Sequence, residues 1–370
     1  MLILELVFYA FIAIVCIQVI YYIIFFSQFK DSSSLNTAIE SLPISVIICA
    51  KNEAGNLKAF LPSVINQNYP NFQIVLINDA SYDNTLEVME EFALKHTNIK
   101  IVNVKNNEAF WANKKYALTL GIKAAKYNHL LFTDADCKPV SEHWIAEMST
   151  CFSKKKSIIL GYGGYRKVKN SLLNKLIRFE TVLTAIQYVS YTNLGIPYMG
   201  VGRNLAYTKE KFFEANGFMQ HMHIRSGDDD LFVNQVANFN NATICLKHNS
   251  FTESLPKKTL SSWLTQKKRH ITTASHYKST HKFLLGLYFI SQFLFVTLAL
   301  LLLIFQFQWK LVLGLIALRL VMQTITYFKA TQKLNEQDII PFVPFLELFL
   351  IAVQLSIFIS NLISKPKHWK

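Results

Sequence analysis

Residues 2–26 form one apolar run holding a single charge, Glu5. At about 1.5 Å per helical residue, a run of that length reaches across a bilayer core with some tilt. A segment crossing hydrocarbon alone must satisfy its own backbone, so it is helical. A secretory leader would carry Lys or Arg ahead of a shorter core and end at a small-residue cleavage site. No basic residue precedes this run, and residues 1–29 read as an uncleaved anchor. Three more apolar runs follow the middle of the chain. Residues 283–307 form the second, and residues 311–328, with Arg319 inside, form the third. Residues 339–363 form the fourth, with Pro341 and Pro344 near its start and Glu347 within it. Buried core helix is the alternative for all four, although the first two exceed a usual globular helix in length. For the fourth, a core, re-entrant or interfacial helix stays open.

Lys267, Lys268, Arg269, Lys278 and Lys282 cluster just ahead of the second run. The positive-inside rule puts that flank in the cytoplasm and the amino terminus outside. Three further crossings would leave the basic tail 365–370 outside, against the same rule. The fourth run is therefore expected not to cross. The expected location is an inner or plasma membrane with the middle domain cytoplasmic. A formal net charge of +14 suits nucleic acid, anionic head groups or phosphate-bearing substrates. With apolar spans at both ends, lipid and phosphate are the expected partners and nucleic acid is not. Five scattered cysteines without a CxxC pair indicate neither a disulfide framework nor a zinc site.

Between the apolar ends, about residues 40–280, the pattern alternates. Residues 44–49, 72–77, 99–104 and 129–133 read as strands, and 57–65, 85–95 and 114–125 as helices. Wholly apolar strands separated by helices argue an α/β fold with a mostly parallel sheet covered on both faces. Ligands of such sheets bind beyond the carboxyl ends of the strands. There the first strand runs into Glu53, the second into Asp79 and Asp83, and the fourth into Asp134 and Asp136. Neither GxGxxG nor GxxxxGK[ST] occurs where a dinucleotide or P-loop site needs it.

Asp134 and Asp136 flank one small residue. Two such carboxylates can hold a divalent cation that bridges to diphosphate oxygens, and Mg²⁺ or Mn²⁺ suits oxygen donors. A solvated turn is the plain alternative. Asp228, Asp229 and Asp230 precede an apolar helical stretch; one of them can cap that helix, and a crowded one can keep its proton and serve as a general base. Gln266 and Arg269 share a helix face, where Arg269 can grip a phosphate or lie on lipid head groups. Lys114 can meet a diphosphate or stay solvated. The stretch 200–207 holds Arg203 and Asn204 beside glycines that let backbone approach a ligand, or it is a plain turn. Residues 172, 176, 179, 183 and 186 form a helical stripe that suits either an interfacial helix or packing on the sheet.

Taken in order, AKNE, NDASYD, TDAD, GVGRNLAY, SGDDDL and QKKRH resemble the membrane-bound inverting glycosyltransferases of family 2, with the ceramide glucosyltransferase-like branch the nearest. The resemblance covers about residues 44–277. It implies a GT-A fold, Rossmann-like and mostly parallel, with transmembrane helices at both ends. It also implies roles. Glu53 and Asp79 would contact the nucleoside, and Lys114 the diphosphate. Asp134 and Asp136 would form the metal motif, with Mg²⁺ or Mn²⁺. One aspartate of 228–230 would be the base, with Asp229 common to either alignment. Arg203, Asn204, Gln266 and Arg269 would lie on the nucleotide-sugar side. The expected donor is a nucleotide-diphosphate sugar, a UDP-sugar by default, and the acceptor a hydroxyl of a membrane-associated lipid. A processive polysaccharide synthase and a non-catalytic scaffold of the same fold are the rivals. Asn78 stands where the family usually has Asp, and His270 where it usually has Trp.

Overall fold

A computed structural model describes residues 1–31, 41–105, 113–224 and 226–363. The first half runs α1 (Leu2–Ile20), β1 (Ile44–Ala50), α2 (Ala54–Ile65), β2 (Phe72–Asp79), α3 (Thr85–Lys95), β3 (Ile99–Val104), α4 (Asn113–Ala124) and β4 (His129–Asp134). Then come β5 (Cys137–Pro139), α5 (Trp144–Ser149), β6 (Ile158–Leu160), β7 (Gly163–Tyr165), α6 (Leu172–Asn193), β8 (Leu205–Thr208) and α7 (Lys209–Glu214). The chain ends with α8 (Asp230–Val236), β9 (Ala242–Ile244), β10 (Thr252–Ser254), α9 (Leu260–Ala274), α10 (Ser279–Ile304), α11 (Trp309–Leu334) and α12 (Val343–Ile363). Two compact units contain these elements. One is Lys30–Lys167 with Tyr191–Pro256, and the other is Met1–Phe29, Val168–Ser190 and Lys257–Lys370.

The first unit holds a seven-stranded sheet in the order β3-β2-β1-β4-β8-β6-β9. β1 to β4 are parallel, with Ile44 opposite both Phe72 and His129. β1 reads ISVIICA and is buried on both faces, as a central parallel strand must be. Its one polar member, Ser45, is buried and bonds the Gln73 side chain and the Tyr127 amide. The chain lays β2 and β3 on one side of β1 and then β4 on the other. The strand order thus reverses between β1 and β4, the place where open α/β sheets hold their ligands. β8 then enters antiparallel to β4 and β6. The stretch 200–207 is therefore only partly a turn: Gly202–Asn204 makes one 3-10 turn and Leu205 begins a strand. A second sheet, β5-β10-β7, has strands of three residues each, too short to show any period in sequence.

The second unit contains four helical segments long and apolar enough to cross a membrane: Leu2–Gln28, Ser279–Ile304, Trp309–Leu334 and Gln337–Ser360. Phe11 and Val15 of α1 pack with Phe295, Ala299 and Leu302 of α10 and Val312 of α11. Pro341 and Pro344 do not break the fourth run. They lie in the 3-10 turn Gln337–Phe342 and in the first turn of α12, where a missing N–H costs little. The expectation that this run does not cross came from the tail 365–370, which lies outside the described residues. The charges inside the third and fourth runs are partners. Arg319 forks onto Glu347, with one arm at 2.7 Å, and also bonds Gln323 and Gln18. Residues 168–190 group with this unit, and α6 packs on its helices. Arg178 of α6 is buried and ion-paired with Glu336 and Asp338, and Phe179 stacks on Tyr327 at 5.4 Å.

Candidate active site

The carboxyl ends of β1, β2 and β4 carry the acidic groups, and two loops there brace each other. Asn52 and Ala80, one just past β1 and one just past β2, both take positive φ, 57° and 49°. Such backbone is sparsely populated by non-glycine residues and persists only where neighbours over-determine it. Asn52 donates its amide N–H to the Ser81 hydroxyl and accepts from the Tyr82 N–H. Asp83 accepts from the Ala54 and Thr85 amides, tying the β2 loop to the start of α2. Glu53 flanks α2 and accepts from the Asn56 side chain. Asp79, the last residue of β2, is buried, and burial raises its carboxyl above the usual range against the pull of Lys51 and Lys114. Asn78 beside it donates to the Asn103 side chain on β3 at 2.9 Å and accepts from the Ser81 amide. A carboxylate at 78 could not make the first of these bonds.

Asp134 ends β4, and the chain turns through Ala135 and Asp136 into β5. The Asp134–Asp136 pair thus stands at the corner between the large sheet and the small one. Lys114, from the first turn of α4, sits between two carboxylates, 3.2 Å from Asp134 and 2.9 Å from Asp228. Burial opposes its charge, but the two aspartates outweigh that and hold the ammonium well above its usual pKa. Burial would likewise raise Asp228, yet Lys114 holds it below the usual carboxylate range.

Asp229 has a different environment. Its two oxygens accept from the Gly202 amide at 2.7 Å and the Asp230 amide at 2.8 Å. Burial first, then the like charges of Asp228 and Asp230, push it up to about 7 in spite of those bonds. Asp229 is thus the N-cap of α8, and Asp230, buried as the first residue of that helix, accepts from the Leu231 amide. Glycines make this packing possible. Gly227 has φ +92°, and a Cβ there would fall 2.4 Å from Leu231; a Cβ on Gly202 would fall 3.1 Å from the Asp229 carboxylate. Three adjacent aspartates, left equivalent by the sequence, therefore become one anion paired with Lys114, one helix-capping carboxyl pushed up to about 7, and one buried acid in the first turn of α8. Ile47, Cys49, Phe132 and Tyr207 line the recess behind them.

Asp134, Asp136 and Cys137 have ligand atoms within 4.8 Å of one another. The two carboxylates suit Mg²⁺ or Mn²⁺. The thiol does not: it is buried, 2.8 Å from the Ser254 hydroxyl, and burial keeps it protonated. The ammonium of Lys114 at Asp134 shows that this corner accepts a cation. Arg203 and Asn204 turn toward the fold itself. Arg203 donates to the Gly163 carbonyl and the Ser254 hydroxyl and lies over the Tyr165 ring. Asn204 is fully buried among Trp144, Tyr162 and Ser250. Gln266 and Arg269 lie on α9 in the other unit. One residue absent from the sequence-based reading belongs here. Lys115 is buried, with its ammonium on the carbonyls of His221 and Ile224. Its only sequence signal was its place beside Lys114.

The fold aligns with a mannosyltransferase from Pyrobaculum calidifontis solved with GDP-mannose and Mn²⁺. The TM-score is 0.60 at 16% identity, covering 93% of this chain and 99% of that one. That likeness establishes the GT-A fold. A poly-β-1,6-N-acetyl-D-glucosamine synthase of Staphylococcus epidermidis is 34% identical over 147 residues, 39% of this chain and 34% of that protein. A cholesterol galactosyltransferase of Borreliella burgdorferi is 34% identical over 98 residues, 26% of each chain. The chain thus spans about a third or less of the length of these two relatives. Residues 45–223, which carry most of β1, all of β2 to β4 and the acidic strand ends, match the family described as Glycosyl transferase family 2.

Proposed function

We propose that this chain is an inverting glycosyltransferase that moves a sugar from a nucleotide-diphosphate donor to a hydroxyl of a membrane-associated lipid, with its catalytic domain on the cytoplasmic face. The observation that carries the reading is the split among the three aspartates. A general base working near neutral pH needs a carboxylate whose pKa lies near 7. Burial and two like-charged neighbours give Asp229 that property, and the Gly202 amide fixes its direction.

In this reading Asp229 takes the proton of the acceptor hydroxyl. The freed oxygen forms a bond to the anomeric carbon as the bond from that carbon to the diphosphate oxygen breaks, and the nucleoside diphosphate leaves on the opposite face. One displacement inverts configuration. Lys114 leaves its carboxylate partners to meet the charge growing on the leaving group. Asp134 and Asp136 would hold a divalent cation, which supplies Lewis-acid stabilisation of that same charge. Glu53 and Asp79, at the β1 and β2 ends, would contact the nucleoside. Gln266 and Arg269 enter on their motif alone. UDP is the default nucleotide, although the aligned mannosyltransferase was solved with GDP-mannose.

Processive polymer synthesis is the second reading, supported by the likeness to a polysaccharide synthase. His270 in place of the usual Trp weighs against it, as do only four candidate spans among the described residues. One experiment addresses both. Purified protein with native lipid extract receives UDP- and GDP-sugars with Mn²⁺ or Mg²⁺, then EDTA. Metal-dependent nucleoside diphosphate release from one donor, absent in Asp136→Ala, is expected, with a product extended by a single sugar. A ladder of products would favour the polymer synthase. No release from any donor, with the protein folded, would favour a non-catalytic scaffold.

A further inference from the structure

Lys115 is the most thoroughly buried ammonium among the described residues of this unit, with 1% of its surface exposed. It makes no ion pair within 4.0 Å among the described residues, and both its close bonds go to backbone. The ammonium donates to the His221 carbonyl at 2.7 Å and the Ile224 carbonyl at 3.0 Å. Those carbonyls lie on the loop that leaves Gly217 and delivers the chain, through Gly227, to Asp228. Burying a cation to hold two neutral carbonyls is costly, and an apolar side chain would fill the same space more cheaply. Its neighbour in sequence does the complementary job. Successive helical positions point about 100° apart, so Lys114 reaches the carboxylates while Lys115 reaches the loop that presents them.

We propose that Lys115 is a positioning residue for the acidic run: it holds residues 217–224 through two carbonyls and so sets where Asp228 and Asp229 stand. The charge itself matters, because Asp228, Asp229 and Asp230 all act on this ammonium from the far end of the same loop. Burial still draws its pKa down to about 8, consistent with a cation kept for its geometry against a solvation cost. The inference rests on the transfer reading above, but its first readout does not.

The test uses the full chain in detergent. In Lys115→Met, hydrogen exchange across peptide 216–229 is expected to accelerate at least tenfold while peptides of β1 and β2 stay unchanged. Turnover is expected to fall 10- to 100-fold with the donor KM within threefold of wild type. In Lys115→Ala, methylammonium is expected to restore part of kcat and tetramethylammonium at the same concentration none. Unchanged exchange, or kcat within twofold of wild type, overturns the tether. So does equal rescue by both amines, which would mark a packing role. If neither variant folds alone, folding in methylammonium only supports the cationic tether, and folding in neither amine overturns it. If wild type transfers no sugar but Lys115→Met still loosens the loop, the tether stands and the transfer reading fails.

Discussion

Lys114 and Arg319 each hold carboxylates, one in each unit, and they do it in opposite ways. Lys114 keeps 40% of its side chain exposed and shares one point charge between Asp134 and Asp228. Arg319 is 1% exposed and closes on Glu347, with Gln323 and Gln18 accepting from the same two terminal nitrogens and Gln292 bonding the same carboxylate. A planar guanidinium matches a carboxylate with two parallel bonds and rarely lets go; an ammonium on a flexible stem is readily exchanged. The closed cluster therefore suits holding helices together in an apolar setting. The open one leaves a third carboxylate, Asp229, without a cation of its own. The difference teaches that paired charges mark function here only where the pairing is incomplete.

The sharpest way to break that contrast is Asp229→Asn. The amide keeps the shape and loses the base, so kcat should fall about a thousandfold, roughly 4 kcal/mol in the barrier. Nucleotide binding measured by calorimetry should hardly change. Near-full turnover in this variant would remove Asp229 from the centre of the mechanism.

Next in size is the closed cluster. Arg319→Met or Glu347→Gln alone leaves one buried charge without its partner and should cost about 3 kcal/mol. Thermal melting in detergent followed by size exclusion reads this. The double variant Arg319→Met with Glu347→Leu should recover most of the loss, since a well-packed apolar pair can replace a buried ion pair. The equivalent double change at Lys114 and Asp228 should leave melting near wild type and abolish turnover. Equal behaviour at both sites would erase the distinction between them.

Much of this was legible beforehand, and the boundary of legibility is physical. Continuous β-branched runs such as Ile44–Cys49 and Phe72–Ile77 mark buried parallel strands, and the strands formed there. Because those strands are parallel, their acidic ends had to gather at one edge. The stripe on α6 was ambiguous, because an apolar face at helical spacing does not name its partner. The contact that fastens it, Arg178 with Glu336, lies 158 residues away in sequence. The same distance problem hid Arg319 and Glu347, which look like separate flaws in two apolar runs until the fold pairs them. The three-residue strands of the small sheet carry no period at all. Asp228, Asp229 and Asp230 could not be told apart until Lys114 and Gly202 were placed beside them.

A smaller effect sharpens the Asp229 assignment through pH. Its folded pKa near 7 lies above the ordinary aspartate value of about 3.9. Between those values the folded chain keeps a proton that the unfolded chain has lost. This group's contribution to stability is therefore fully present below about pH 4 and lost as pH rises through about 7. Asp229→Asn lacks that dependence, so at pH 8 it should be more stable than wild type, by up to about 4 kcal/mol, and at pH 4 it should melt like wild type. The wild-type kcat/KM should climb with pH through the same region. A profile flat from pH 5 to 8 would show that another group takes the proton.

The smallest effect concerns the departure at Asn78. Its amide joins β2 to β3 through Asn103 and takes the Ser81 N–H, bracing the loop that follows Asp79. Asn78→Asp would put a second buried carboxylate beside Asp79, and the exposed Asn103 amide would have to turn over to donate to it. The loss should be about 1 kcal/mol in stability, the usual worth of one such bond with some relaxation. Asn103→Asp should be tolerated better, since the Asn78 amide can still donate to it. If instead Asn78→Asp left stability unchanged and tightened nucleotide binding, the second charge would belong to ligand recognition, and the brace would be incidental. The expected asymmetry between the two substitutions follows from burial: Asn78 is enclosed beside Asp79, and Asn103 is exposed.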